Sequence, residues 1–156
     1  MAEMSVIWLR VAATLYSVGL LHAILTVVQR REYLFRYALA SVRVAAVLHI
    51  VSIAEEGLIT GHFPAGNVFE TLSLCALLVT VAYLVVHWRY KLETFSVIVF
   101  PLVFVMTLVA TLANPVPAWT NPAVRSVWLT THVVLVLLGY AALLLTAIGA
   151  VVYLFQ

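Results

Sequence analysis

Trp128 and His132 are spaced for chemistry at a membrane surface. They stand four residues apart, so on a helix they share one face. Leu135, Val136, Gly139 and Leu143 continue that face. A neutral imidazole beside an aromatic ring, over an apolar surface, suits axial ligation of a haem iron. The same pair also reads as an interfacial histidine bonded to a loop, beside a tryptophan of the aromatic belt. His49 is the second candidate, with Ser52 and Glu56 three and seven residues further on. That spacing makes one polar helical stripe. A histidine in mid-membrane must bond a partner or bind something. It can be a second ligand, a proton relay, or half of a helix–helix hydrogen bond worth about 0.6 kcal/mol.

Other polar residues have simpler readings. Asn67 and Glu70 form a capping-box pattern, in which each satisfies backbone at the start of a helix. That role is sufficient for Glu70. His62 lies in the turn Gly61-His62-Phe63-Pro64-Ala65-Gly66 and reads as structural. His22 and His87 fall near helix ends, where solvated cations are favoured. Arg43, Glu55 and Glu56 are further ionisable groups in apolar surroundings. The single cysteine, Cys75, cannot form an internal disulfide. There is no zinc spacing, no phosphate-binding glycine loop and no Ser/His/Asp set, so no catalytic residue is assigned.

The elements that hold these residues follow from composition. The chain has 156 residues, 65% hydrophobic and 9% charged. Soluble domains are about half apolar and about a quarter charged. So few charges cannot cover a globular surface in water. This excludes an ordinary soluble domain and a disordered chain. It also excludes a nucleic-acid-binding module, which needs a clustered basic face. The net charge of +2 is too small to argue for an acidic partner.

Apolar runs over residues 6–28, 38–59, 68–86 and 94–113, and from Pro122 to the end, predict an all-α polytopic transmembrane bundle of about five spans. The whole of 1–156 reads as a single transmembrane domain. Pro101 predicts a kink in the fourth span. Asn121 and Pro122 suit the cap and first position of the fifth. Counting back about 20 residues from its far end puts the hydrocarbon boundary near Val136 and leaves His132 at the interface. Gly139, Ala142, Thr146 and Gly149 form a small-residue stripe that suggests close helix packing.

Basic residues set the orientation. Arg30, Arg31 and Arg36 follow span 1, and Arg89 and Lys91 follow span 3. Positive loops stay cytoplasmic, so the N-terminus and the loops at His62 and Trp119 face outward. Glu3, Glu55, Glu56 and Glu70 then gather on the outer side. The run Val151-Val152-Tyr153-Leu154-Phe155-Gln156 has no basic anchor, which suggests part of a longer or split protein.

Two stretches go beyond generic membrane composition. Gly61-His62-Phe63-Pro64-Ala65-Gly66-Asn67-Val68-Phe69-Glu70-Thr71-Leu72 resembles the GHFP-x-x-(N/D)-x-(Y/F)-E-(S/T)-L signature of CcsA-type cytochrome c assembly proteins. Ser126-Val127-Trp128-Leu129-Thr130-Thr131-His132-Val133, followed by Gly139-Tyr140-Ala141-Ala142-Leu143-Leu144, is similar to that family's Q-S-x-W-L-x-x-H-V … (S/G)-Y-A-A-L-L segment, with Arg125 in place of the usual Gln. CcmC-, CcmF-, HemX- and YpjD-like proteins are broader relatives. The resemblance implies the N-terminal part of a longer protein that holds haem, b-type and transient, at the outer membrane face for attachment to the CxxCH motif of apocytochrome c. It implies a CcsB/ResB-like partner and a bacterial cytoplasmic membrane. Such a chain is part of an attachment system and not an enzyme by itself. By motif position His132 is one of two outer-face axial ligands, and Trp128 lies beside it. The family's WGxxWxWDP-like segment and second outer histidine have no counterpart among Trp8, Trp88, Trp119 and Trp128. Two alternatives stay open. One is a HemX-like scaffold without haem. The other is a small transport subunit using His49 and Glu56 for protons.

Overall fold

Apolar runs separated by short polar breaks become helices because only a helix satisfies its own backbone in hydrocarbon. The computed structural model describes residues 3–112 and 127–154, with Glu3 described as backbone only. These residues form five helices: α1 Glu3–Gln29, α2 Glu32–Thr60, α3 Val68–Tyr90, α4 Ser96–Thr111 and α5 Val127–Leu154. Four of them, all but α4, are long and apolar enough to cross a membrane. The protein is an all-α, multi-pass membrane bundle. The expected cap at Asn121 and Pro122 lies outside the described residues.

The fourth expected span is shorter than its apolar run. At 16 residues α4 measures about 24 Å, against about 30 Å of hydrocarbon. Its start is set back by a turn in which Ser96 N–H and Oγ both bond Glu93 O, at 3.0 and 2.6 Å. Pro101 lies inside α4 and has no N–H to offer the carbonyl of Val97.

α1 packs most extensively on α2 and then on α4, while α3 packs on α4 and α5 and more lightly on α2. Small residues bring α1 and α2 together. A Cβ added at Gly19 would lie 2.7 Å from Val42 Cγ2 and 3.2 Å from the Ala38 carbonyl, and Ala38 and Ala45 are fully buried. On α5 the packed stripe is Leu137, Ala141, Leu145 and Ile148. The expected small-residue stripe is not the packed one: Ala142 and Thr146 are exposed, and a Cβ on Gly139 would meet nothing within 4 Å. Only Gly149 meets a neighbour, Phe95 at 3.2 Å.

Candidate functional site

The turn between α2 and α3 is built from caps. Gly61 closes α2 with φ 67° and donates its N–H to Gly57 O at 3.1 Å. Left-handed backbone there suits a residue without Cβ. Asn67 opens α3, its Oδ1 accepting Glu70 N–H at 2.9 Å. Glu70 does reach back, but to Gly66 N–H at 2.7 Å and Asn67 Nδ2 at 2.6 Å. The capping box therefore extends one residue upstream and ties the turn to α3. Between the caps, Phe63 O accepts from Ala65 N–H at 2.8 Å and from His62 Nδ1 at 3.0 Å.

Beneath the turn runs a buried polar seam. His49 is completely enclosed. Its Nε2 lies 2.8 Å from Ser73 Oγ of α3, and its Nδ1 lies 3.4 Å from the Tyr16 hydroxyl of α1. If the phenol donates to Nδ1, Nε2 carries the proton and donates to Ser73. Both ring nitrogens are engaged, which is the geometry of a helix-to-helix hydrogen bond. One and two turns on, Ser52 Oγ donates to Ser5 O at 2.7 Å and Ser5 Oγ donates to Glu56 Oε2 at 3.3 Å. A cavity of about 10 Å³ lies among Ser52, Glu56, Glu70 and Ser73, room for about one water. The stripe of His49, Ser52 and Glu56 is thus one face, as its spacing predicts.

Trp128 and His132 occupy a different place. Both are exposed on α5, one turn apart, with Trp128 82% accessible. His132 makes no hydrogen bond or ion pair with the described residues. Leu135 and Leu143 are exposed along the same helix, and the space over Gly139 is open. An imidazole unengaged by the described residues, on an exposed apolar face, has the chemistry of one haem ligand. The structure does not bring His132 and His49 together: one lies on the open face of α5, the other is sealed among α1, α2 and α3.

At the opposite end, His87 is not the solvated residue expected. It is buried against Phe35 and Tyr83, with ring centroids 5.5 and 5.9 Å away, because the first turn of α2 packs over the last turns of α3. His22 bonds Val18 O of its own helix at 2.8 Å. Arg43 is exposed on α2.

Sequence reasoning missed Ser5, Tyr16 and Ser73, which complete the seam. Ser5 and Tyr16 lie on α1 and Ser73 on α3, and no spacing in the sequence links them to His49, Ser52 and Glu56 on α2. It also missed Arg10, a charge inside the first span that faces an open groove with Thr14, Ser17 and Phe104. The rarity of intramembrane arginine is the signal that could have found it.

Residues 65–156, more than half of the chain, match the cytochrome C assembly protein family. The chain belongs to that family. The family match takes in the capping turn from Ala65, the Ser73 end of the seam and all of α5. Cytochrome c biogenesis protein CcsA of Microcystis aeruginosa is 31% identical over 121 residues, covering 75% of this chain and 35% of that protein. The CcsA of a Picosynechococcus species is 34% identical over 98 residues, 60% of this chain and 29% of that protein. The CcsA of Gloeothece citriformis is 28% identical over 127 residues, 79% of this chain and 39% of that protein. The chain thus spans about a third of the length of the curated relatives it matches. No solved structure matches it.

Proposed function

We propose that this family member is part of a haem-handling membrane protein in cytochrome c maturation. His132 supplies one axial ligand at the outer leaflet, and Trp128 packs beside the ligand. The observation that carries this reading is the exposed imidazole of His132, unengaged by the described residues, one helical turn from an exposed indole. The family match and the names of the cyanobacterial relatives support the process.

When bound, haem supplies the iron and the porphyrin that is to be attached to apocytochrome c. The work of this chain is to hold and orient. His132 Nε2 or Nδ1 offers a lone pair to the iron. The exposed apolar side chains along α5, Leu135 and Leu143 among them, would exclude water from the bound group. The second ligand to the iron held by His132 comes from outside the described residues. In this reading the haem is b-type and transient, and the partners are apocytochrome c and a CcsB/ResB-like membrane protein. The membrane is the bacterial cytoplasmic membrane, with the N-terminus and the His62 turn outside. The test is His132→Ala in the full chain, purified from membranes. Haem per protein falls sharply while protein yield is kept; unchanged haem content overturns the assignment.

A further inference from the structure

We infer that His62 is a second haem-ligating residue of this chain, presented over its own groove at the outer turn. The inference rests on the haem reading for the identity of the ligand, and on separate residues for the site.

The first observation is the state of the imidazole. His62 Nδ1 lies 3.0 Å from Phe63 O. A carbonyl only accepts, so Nδ1 must carry the proton. The neutral ring is then left with its lone pair on Nε2. This is the arrangement found around metal-bound histidines, whose second nitrogen donates to a carbonyl or carboxylate and so sets tautomer and ring direction. His49, with both nitrogens engaged, lacks it.

The second observation is the space beside it. A groove of about 650 Å³ is lined by His62 together with Ile53, Ala54, Leu58, Phe63 and Pro64. The groove is shallow and open, and its lining is mostly apolar with one placed polar group, a pattern shared with small-molecule sites. No carboxylate among the described residues lines this groove. A hydrated hard cation needs oxygen ligands and finds none in these side chains. A planar apolar ligand carrying an iron that accepts imidazole does fit. Leu58 is an apolar side chain 85% exposed at the rim.

The third observation is rigidity. Gly61 pins the turn to α2, Glu70 pins it to α3 through Gly66, and Pro64 is buried. A ligand donor must be held in place to be effective, and here both flanks of His62 are fixed by backbone hydrogen bonds. No residue of α5 lines the groove, so this is a different contact from His132.

The experiment is a haem titration of the full-length protein in detergent, followed by absorbance and resonance Raman spectra. Wild type is compared with His62→Ala, His132→Ala and Ala54→Trp, the last filling the groove while leaving the imidazole. His62→Ala and Ala54→Trp each weaken haem binding by about tenfold or more, equivalent to at least about 1.4 kcal/mol. His62→Ala also loses an imidazole-ligated spectral component that added imidazole restores. His132→Ala retains that component. If His62→Ala and Ala54→Trp match wild type in affinity and spectrum, the inference is overturned, and a loss confined to His132→Ala leaves the proposed function standing without it. Iron-free protoporphyrin bound as tightly as haem also overturns ligation by His62.

Discussion

His49 Nε2 and Ser73 Oγ are 2.8 Å apart, both buried, and joined across α2 and α3. These two helices otherwise touch only lightly. Tyr16 of α1 closes the other side of the same ring, with centroids 6.0 Å apart and edge-on. One fully enclosed imidazole therefore ties three helices.

A double-mutant cycle tests this tie. Ser73→Ala and His49→Leu should show a coupling of about 0.6 kcal/mol in micelle unfolding, the usual size for such bonds in membranes. Ser73→Ala alone, which strands a buried imidazole nitrogen, should cost about 1–3 kcal/mol. Purely additive effects would contradict the bond.

The turn before α3 depends on its caps. Asn67→Ala should cost about 1 kcal/mol. Glu70→Ala should release the Gly66 amide, whose partner is Glu70 Oε2 at 2.7 Å. Faster hydrogen exchange at Gly66 in Glu70→Ala, relative to amides in the middle of α3, is the measured outcome.

Glycines on α1 and α5 should respond oppositely to substitution. Gly19→Ala puts a methyl 2.7 Å from Val42 Cγ2 and 3.2 Å from backbone, and overpacking of that kind costs about 1–3 kcal/mol. Gly139→Ala meets nothing within 4 Å and gains helix propensity of up to about 1 kcal/mol. Thermal unfolding in one detergent should lower the melting temperature for the first and not for the second.

His132→Ala should leave stability within about 0.5 kcal/mol of wild type, as exposed substitutions do. The loss should appear in haem content alone. A matching loss of stability would mean that His132 has a structural role.

The proposed orientation predicts labelling from one side only. With Cys75 replaced by Ala, Val68→Cys at the outer turn should react with an impermeant maleimide added to intact cells. Lys91→Cys, at the far end of α3, should react only after lysis. Both positions are exposed, so accessibility does not limit the readout. The reverse pattern inverts the topology.

Much of the architecture could be read from one dimension. Hydrocarbon admits only self-satisfied backbone, so long apolar runs had to be helices. Gly61 and Asn67 mark the ends of α2 and the start of α3 by local backbone chemistry, and a four-residue spacing puts Trp128 and His132 on one face. These are short-range rules, and short-range rules survive in the sequence. They failed where a tertiary neighbour decides: His87 is buried because Phe35 lies over it.

What the tertiary structure alone decided is the company each polar group keeps. His49 had three open readings, and it took Tyr16 and Ser73, brought in from two other helices, to occupy both nitrogens. His62 belongs to a turn by its local sequence, and the packing of that turn on α2 places its imidazole beside an open apolar groove. The seam joining Ser5 to Glu56 spans 51 residues of sequence. A helix's hydrophobic periodicity shows which residues face inward; it carries no record of which residue will meet them. That depends on how far each helix slides and turns against its neighbours, which close contacts such as Gly19 on Val42 settle in three dimensions.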